Sequence, residues 1–204
     1  MFNMNLILAS SSTYRAKLLR QLRLKAQSIA PNIEEKPVNG EDPKQLATRL
    51  AAEKAAAVIT QIGRLEEPSI VIASDQVAYC NHKMLGKPHT AENAIAQLTD
   101  MSNKTAEFYT SLFMQNTQTQ QTFTHLDVTK VNFRTLTSQE IKSYVALESP
   151  FDCAGSFKCE GLGISLFNSI ETHDPSALVG LPLISVTKGL INLGLNPLLI
   201  GNAE

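Results

Sequence analysis

The segment Ile70-Val71-Ile72-Ala73-Ser74-Asp75-Gln76 places an acid directly after four apolar, mostly β-branched residues. That run predicts a buried strand that stops at the carboxylate. An aspartate set where a buried strand meets solvent can hold a metal ion or a reacting water rigidly. Gly86-Lys87-Pro88 follows after a short hairpin, so a positive charge can return to the same edge. A carboxylate and a cation converging on a sheet edge suit phosphate chemistry. The same residues would also make a strand-end turn with a surface lysine.

Three other constellations could contribute. Ser10-Ser11-Ser12 precedes a predicted helix with Arg15 in its first turn. Unpaired N–H groups, the positive dipole end, hydroxyls and a guanidinium together make an anion site; an ordinary serine cap with a solvated arginine has the same pattern. Lys54 sits within or beside the apolar stripe of another predicted helix, where it must reach solvent or meet an anion. Glu34-Glu35 lies in a polar loop, either solvated or available to a hard cation. Two phosphate motifs are excluded: Gly86-Lys87 lacks the other residues of a P-loop, and Gly161-Leu162-Gly163 lacks the third glycine of a dinucleotide fingerprint. The four histidines lack ligand spacing, and Met84, Met101 and Met114 are expected in the core. The remaining inventory fits metal-assisted attack on a nucleotide phosphate.

These residues need a scaffold. Asn5–Ala9 and a short stretch around Gln27–Ala30 are predicted strands flanking a helix with Leu18, Leu19 and Leu22 on one face. Asp42-Pro43 starts a second helix, in which Ala47, Leu50, Ala51, Lys54, Ala55 and Val58 recur at helical spacing. Val77–Cys80 and Lys83–Leu85 predict a hairpin around Asn81-His82. Thr90 caps a helix through Met101, and two long β-rich runs follow, Thr105–Met114 and Thr122–Arg134. Thr137-Ser138-Gln139-Glu140 is a capping box for a helix to about Leu147. Phe151–Gly163 is loop-like, Gly163–Ile170 a predicted strand, and Leu183–Leu193 a last helix stopped by Gly194. The alternation predicts an α/β fold, a mixed twisted sheet with flanking helices, built as one elongated domain over 1–204.

Composition narrows the partners. With 43% apolar residues, 18% charged residues and a net charge of −1, the chain lacks the cationic excess of a nucleic-acid or membrane-surface binder. Its three cysteines (Cys80, Cys153, Cys159) lack metal-ligand spacing. Leu6–Ala9 is too short for a secretory core and no stretch could span a bilayer, so a reduced cytoplasmic protein is expected.

Several short motifs, in order and nearly end to end, resemble the Maf nucleoside triphosphate pyrophosphatases. They are Leu8-Ala9-Ser10-Ser11-Ser12-Thr13-Tyr14-Arg15, Ala52-Glu53-Lys54-Ala55, Ser74-Asp75-Gln76, Gly86-Lys87-Pro88 and Val179-Gly180-Leu181-Pro182. Cys153-Ala154-Gly155-Ser156-Phe157-Lys158-Cys159-Glu160-Gly161 further resembles the branch that hydrolyses 7-methyl-GTP rather than the one acting on dTTP and UTP. The resemblance implies two lobes around a cleft, a homodimer, and a divalent cation, Mg2+ or Mn2+, as cofactor. It implies water attack at the α-phosphate with Asp75 as proton acceptor, and Ser10, Arg15, Lys54 and Lys87 on the phosphates. Glu35, with Asp75, would serve the metal, and Tyr14, Gln76 and Glu160 would set base preference. A methylated, positively charged guanine suits an aromatic face and a carboxylate. Two positions depart from the family pattern: Thr13 stands for a proline and Ala16 for a second arginine, which predicts a weaker phosphate clamp. The competing expectations are the same chemistry on another nucleotide, and a non-catalytic nucleotide-binding regulator of cell division.

Overall fold

The computed structural model describes residues 4–63 and 67–199. Among them, seven strands, β1 (Asn5–Leu8), β2 (Gln27–Ser28), β3 (Ser69–Cys80), β4 (Lys83–Leu85), β5 (Thr105–Asn116), β6 (Thr122–Phe133) and β7 (Phe167–Glu171), form one mixed sheet in the order β2-β1-β3-β5-β6-β7, with β4 paired to β3. The chain separates into two compact units, residues 1–75, 110–126 and 174–204, and residues 76–109 and 127–173. No helix among the described residues is long and apolar enough to cross a membrane.

In the first unit, β1 (Asn5–Leu8) lies parallel to both β2 (Gln27–Ser28) and β3 (Ser69–Cys80), with Leu6 opposite Ile70 and Leu8 opposite Ile72. Strand alternation sends successive side chains to opposite faces. Leu6, Leu8, Ile70, Ile72, Leu112 and Met114 therefore pack with Leu18 and Leu19 of α1 (Thr13–Gln21) and Val186 and Leu190 of α5 (Leu183–Asn192). Ile7, Ala9, Val71 and Ala73 pack on the other face with Ala55 and Val58 of α2 (Pro43–Ile62). Each buried Leu, Ile or Val contributes about 1.5–3 kcal/mol, so the two apolar layers carry the scaffold. Asp42 caps α2 in a full capping box with Gln45, and Pro43 occupies its first turn. The helix therefore starts in a fixed phase, which turns Lys54 onto the buried stripe.

In the second unit, β4 (Lys83–Leu85) returns along β3 with Cys80 opposite Lys83. Asn81 and His82 both take positive φ in the predicted two-residue turn. α3 (Ala91–Met101) is capped by Thr90 and α4 (Ser138–Glu148) by the Thr137–Glu140 capping box. Phe108, Phe133, Phe157 and Phe167 meet edge to face, with centroids 4.8–5.7 Å apart. Edge-to-face contacts of this kind add about 0.5–1.5 kcal/mol each beyond burial. The remaining long strands, β5 (Thr105–Asn116) and β6 (Thr122–Phe133), each contribute residues to both units.

Three expectations change. β3 does not stop at Asp75 but runs on to Cys80, because the predicted strand and the first arm of the predicted hairpin are one continuous strand. The strand expected over Gly163–Ile170 begins only at Phe167, as β7 (Phe167–Glu171), and residues 162–166 form a 3₁₀ turn. A Cβ at Gly163 would stand 2.3 Å from the Lys158 carbonyl oxygen, so the chain is folded back too tightly there for a strand. Around Gln27–Ala30, only Gln27 and Ser28 pair; Met101 and Met114 are fully buried as expected, whereas Met84, on the short β4, is only half-buried.

Candidate active site

The structure gathers Ser10, Arg15, Glu35, Lys54 and Asp75 within the first unit. Asp75 lies mid-strand on β3 and is only 5% exposed, as is Lys54. The Lys54 Nζ donates to Asp75 Oδ1 at 2.6 Å and also reaches Glu35 Oε1 at 2.9 Å. Of the two outcomes open to Lys54, solvent or an anion, it takes the anion. The small residues Ala47, Ala51 and Ala55 let α2 lie close to the sheet, so the lysine stem reaches along its buried face to the strand. Burying an unpaired ammonium or carboxylate is prohibitive, and each charge here offsets the desolvation of the other. Glu35, by contrast, is exposed and reaches Lys54 from the loop before α2.

That loop is pinned from the helix. Arg49 grips both oxygens of Glu41 at 2.7 and 2.8 Å, donates to the Lys36 carbonyl at 3.0 Å and binds Glu53. Hydrogen bonding to Arg49 holds the Glu41 carboxyl down at about 2. The segment carrying Glu35 is thereby tied to the same helix that carries Lys54.

The turn from β1 into α1 supplies the second half. Ser12 is the N-cap, accepting from the Arg15 N–H at 3.4 Å, while Ser10 Oγ accepts from the Ser12 N–H at 3.1 Å. Arg15 donates through Nε to the Gly180 carbonyl at 2.8 Å and through Nη1 to Ser10 Oγ at 3.4 Å. Burial pushes the guanidinium below its ordinary value, while Asp75 and Glu35 pull it back up; an arginine stays charged throughout. A fixed cation thus stands near two carboxylates, at the N-terminal end of a helix. Tyr14 is half-buried on the same helix.

Gln76, Lys87 and Glu160 belong to the second unit. Gln76 follows Asp75 on β3 and so points to the opposite face of the strand. Lys87 is exposed just beyond β4, in no ion pair among the described residues. Glu160 is exposed on a built loop: the Tyr144 hydroxyl accepts from the Lys158 N–H at 3.0 Å, and Lys158 Nζ donates to the Glu148 carbonyl at 2.9 Å. Gly155 takes positive φ against the ring of Phe108, where a Cβ would stand 3.0 Å away. Burial pushes the thiols of Cys153 and Cys159, in this loop, up to about 12.

Two contributors were invisible in the residue types. Ser74 Oγ donates to the same Gly180 carbonyl at 2.9 Å, joining β3 beside Asp75 to Arg15. The Val179–Pro182 motif carries no catalytic side chain, and its part is played by a backbone oxygen. The positive φ of Gly180, at 107°, is the trace it leaves in the sequence.

A model of the Maf-like protein family matches residues 5–193. The chain belongs to this family. Among curated relatives of this Maf-like chain, the 7-methyl-GTP pyrophosphatase of Idiomarina loihiensis is 47% identical over 193 residues, 95% of this chain and 96% of the relative. That of Vibrio vulnificus is 47% identical over 198 residues, 97% and 100% of the two chains. That of Xanthomonas oryzae pv. oryzae is 49% identical over 189 residues, 93% and 96%. Among solved structures, the Staphylococcus aureus Ham1 protein aligns at a TM-score of 0.39 and 14% identity over 63% of this chain and 71% of that one, a likeness too slight to add to the sequence match.

Proposed function

We propose that this chain is a nucleoside triphosphate pyrophosphatase that hydrolyses 7-methyl-GTP to the nucleoside monophosphate and pyrophosphate. The observation that carries the chemistry is the Glu35–Lys54–Asp75 cluster beside Arg15 and Ser10 at the start of α1. The base is carried over from relatives 47–49% identical over nearly their whole length.

Asp75 accepts the proton of the water that attacks the α-phosphate. Its ion pair with Lys54 sets the carboxylate rotamer before the nucleotide arrives. Arg15, Ser10 and the N-terminal end of α1 bind phosphate oxygens, where charge grows in the transition state. Lys54, already bridging two acids, and Lys87 neutralise the remaining phosphate charge. Tyr14, Gln76 and Glu160 choose the base, the ring facing the positive charge of N7-methylguanine and the carboxylate neutralising it.

Among the described residues no three His, Cys, Asp or Glu side chains gather as a metal cage. Glu35 and Asp75 do converge on one point, the Lys54 ammonium. Two hard oxygen donors with the remainder left to water and phosphate suit Mg2+ or Mn2+, which seldom take all-protein cages. We assign Glu35 and Asp75 to that ion, which when bound would polarise the phosphate oxygens. The chain would work in the cytoplasm, without nucleic acid or membrane as partner, and as a homodimer of single-domain chains.

The test is steady-state kinetics on 7-methyl-GTP, GTP, UTP and dTTP with Mg2+ or Mn2+, identifying the products. The expected result is the highest kcat/KM on 7-methyl-GTP with pyrophosphate released. Preference for UTP or dTTP would overturn the substrate, and release of single phosphates would overturn the bond cleaved.

A further inference from the structure

Asp174 is a buried acid that the proposed chemistry does not use, at 3% exposure. Its Oδ1 accepts from the Ser176 N–H at 3.0 Å and the Ser176 hydroxyl at 2.6 Å, and its Oδ2 from the Ile184 N–H at 2.7 Å. Ser176 Oγ in turn accepts from the Leu183 N–H at 2.7 Å. The first turn of α5, whose N-cap Pro182 makes no side-chain cap bond, is thus capped by residues upstream of it. The intervening chain is closed into a tight clip. Ala177 N–H donates to the Asp174 carbonyl at 3.0 Å, Gly180 N–H donates to the Ala177 carbonyl at 2.8 Å, and Thr110 Oγ1 donates to that Ala177 carbonyl at 3.0 Å.

The clip presents the Gly180 carbonyl, which accepts from Arg15 Nε at 2.8 Å and Ser74 Oγ at 2.9 Å. An arginine side chain has four free torsions, and holding Nε fixes the plane of the guanidinium. The η nitrogens then stand as a preset fork for phosphate oxygens. The other anchor of Arg15, Ser10 Oγ, is longer at 3.4 Å, so the carbonyl carries most of the orientation.

We propose that Asp174 is a positioning residue for the reaction, aiming Arg15 through the Gly180 carbonyl. The assignment rests on Arg15 binding phosphate, as set out under the proposed function. Exchanging Asp174 for asparagine replaces one accepting oxygen by an amide NH2, which then faces either the Ile184 N–H or the Ser176 N–H and hydroxyl, so the clip loosens without a change of volume.

The experiment is a double-mutant cycle on 7-methyl-GTP hydrolysis with Arg15→Ala, Asp174→Asn and the pair, each with its melting temperature. Loss of a supporting contact behind an active group costs on the order of 10–100-fold, and that loss in kcat/KM is expected for Asp174→Asn when Arg15 is present. In the Arg15→Ala background the further loss should shrink to about twofold, since coupled residues are non-additive. Ser176→Ala should repeat the pattern more weakly, and Ser176→Thr, which keeps the hydroxyl, should restore activity. An equal loss from Asp174→Asn in both backgrounds would overturn the positioning role while leaving the phosphate role of Arg15 intact. An unchanged kcat/KM for Arg15→Ala would instead overturn the phosphate role itself. Where Asp174→Asn does not fold, Ser176→Ala against Ser176→Thr in both backgrounds decides alone.

Discussion

Asp75 and Asp174 are both buried acids in the same unit, yet their surroundings differ in kind. Asp174 accepts from donors on the main chain or close to it: the Ser176 and Ile184 N–H groups and the hydroxyl of Ser176, two residues on. Asp75 is held by the end of a long side chain, the Lys54 ammonium, which it shares with Glu35. Backbone donors cannot leave when a substrate arrives, so an acid they surround belongs to the architecture. An ammonium on four methylenes can swing toward a phosphate, so the acid it holds stays available for chemistry. Burial alone does not separate the two roles; the partner does.

The largest expected effect comes from removing the shared cation. Lys54→Met would leave Asp75 buried without its counter-ion, and breaking such a pair costs about 3–5 kcal/mol. Chemical denaturation should read that loss, together with a fall in activity. A variant as stable as the parent would show that the pair contributes nothing to the fold.

The same exchange applied to both acids probes the difference between them. Asp174→Asn turns one accepting oxygen into an amide donor facing the Ile184 N–H or the Ser176 pair, which costs about 1–3 kcal/mol. Asp75→Asn keeps an oxygen for Lys54, and Glu35 remains as counter-ion, so its denaturation midpoint should move less. If Asp75→Asn is the less stable of the two, the division into architectural and chemical acids is wrong.

The smallest effect concerns the loop that brings Glu35 to the cluster. Arg49 lowers the Glu41 carboxyl to about 2 in the folded state, from 4.5. A depressed folded value means that the unfolded or released loop binds the proton more tightly. The contribution is complete above pH 4.5 and is lost as pH falls toward 2. Val38 donates its N–H to Glu41 at 3.0 Å, and the protection of that amide relative to its intrinsic exchange rate should fall in that window, ahead of β3. Unchanged protection at pH 2.5 would remove Glu41 from the account.

Much of this was legible in the residues. Lys54 falls on the stripe set by Ala47, Leu50, Ala51 and Val58, and helical phase turns that stripe to the sheet. Ser12 and Asp42 announce their helices through their own side chains. The continuation of β3 past Asp75 was hidden because Ser74, Asp75 and Gln76 interrupt the apolar pattern. A strand interior tolerates those residues only when other elements supply partners, here Lys54 and Gly180. Those partners lie 21 and 106 residues away in the chain. Nor does any residue type mark the Gly180 carbonyl, since every residue has one. The cap of α5 was missed for the same reason, its acid lying ten residues before the N–H it accepts from.

The most direct measurement is pyrophosphate release from 7-methyl-GTP by the parent chain and by Asp75→Asn, with circular dichroism on both. A positioned general base contributes about 10²–10⁴-fold, so the variant should remain folded and turn over about a thousandfold more slowly. A folded Asp75→Asn protein that hydrolyses the nucleotide at the parental rate would contradict the assignment of Asp75 as proton acceptor.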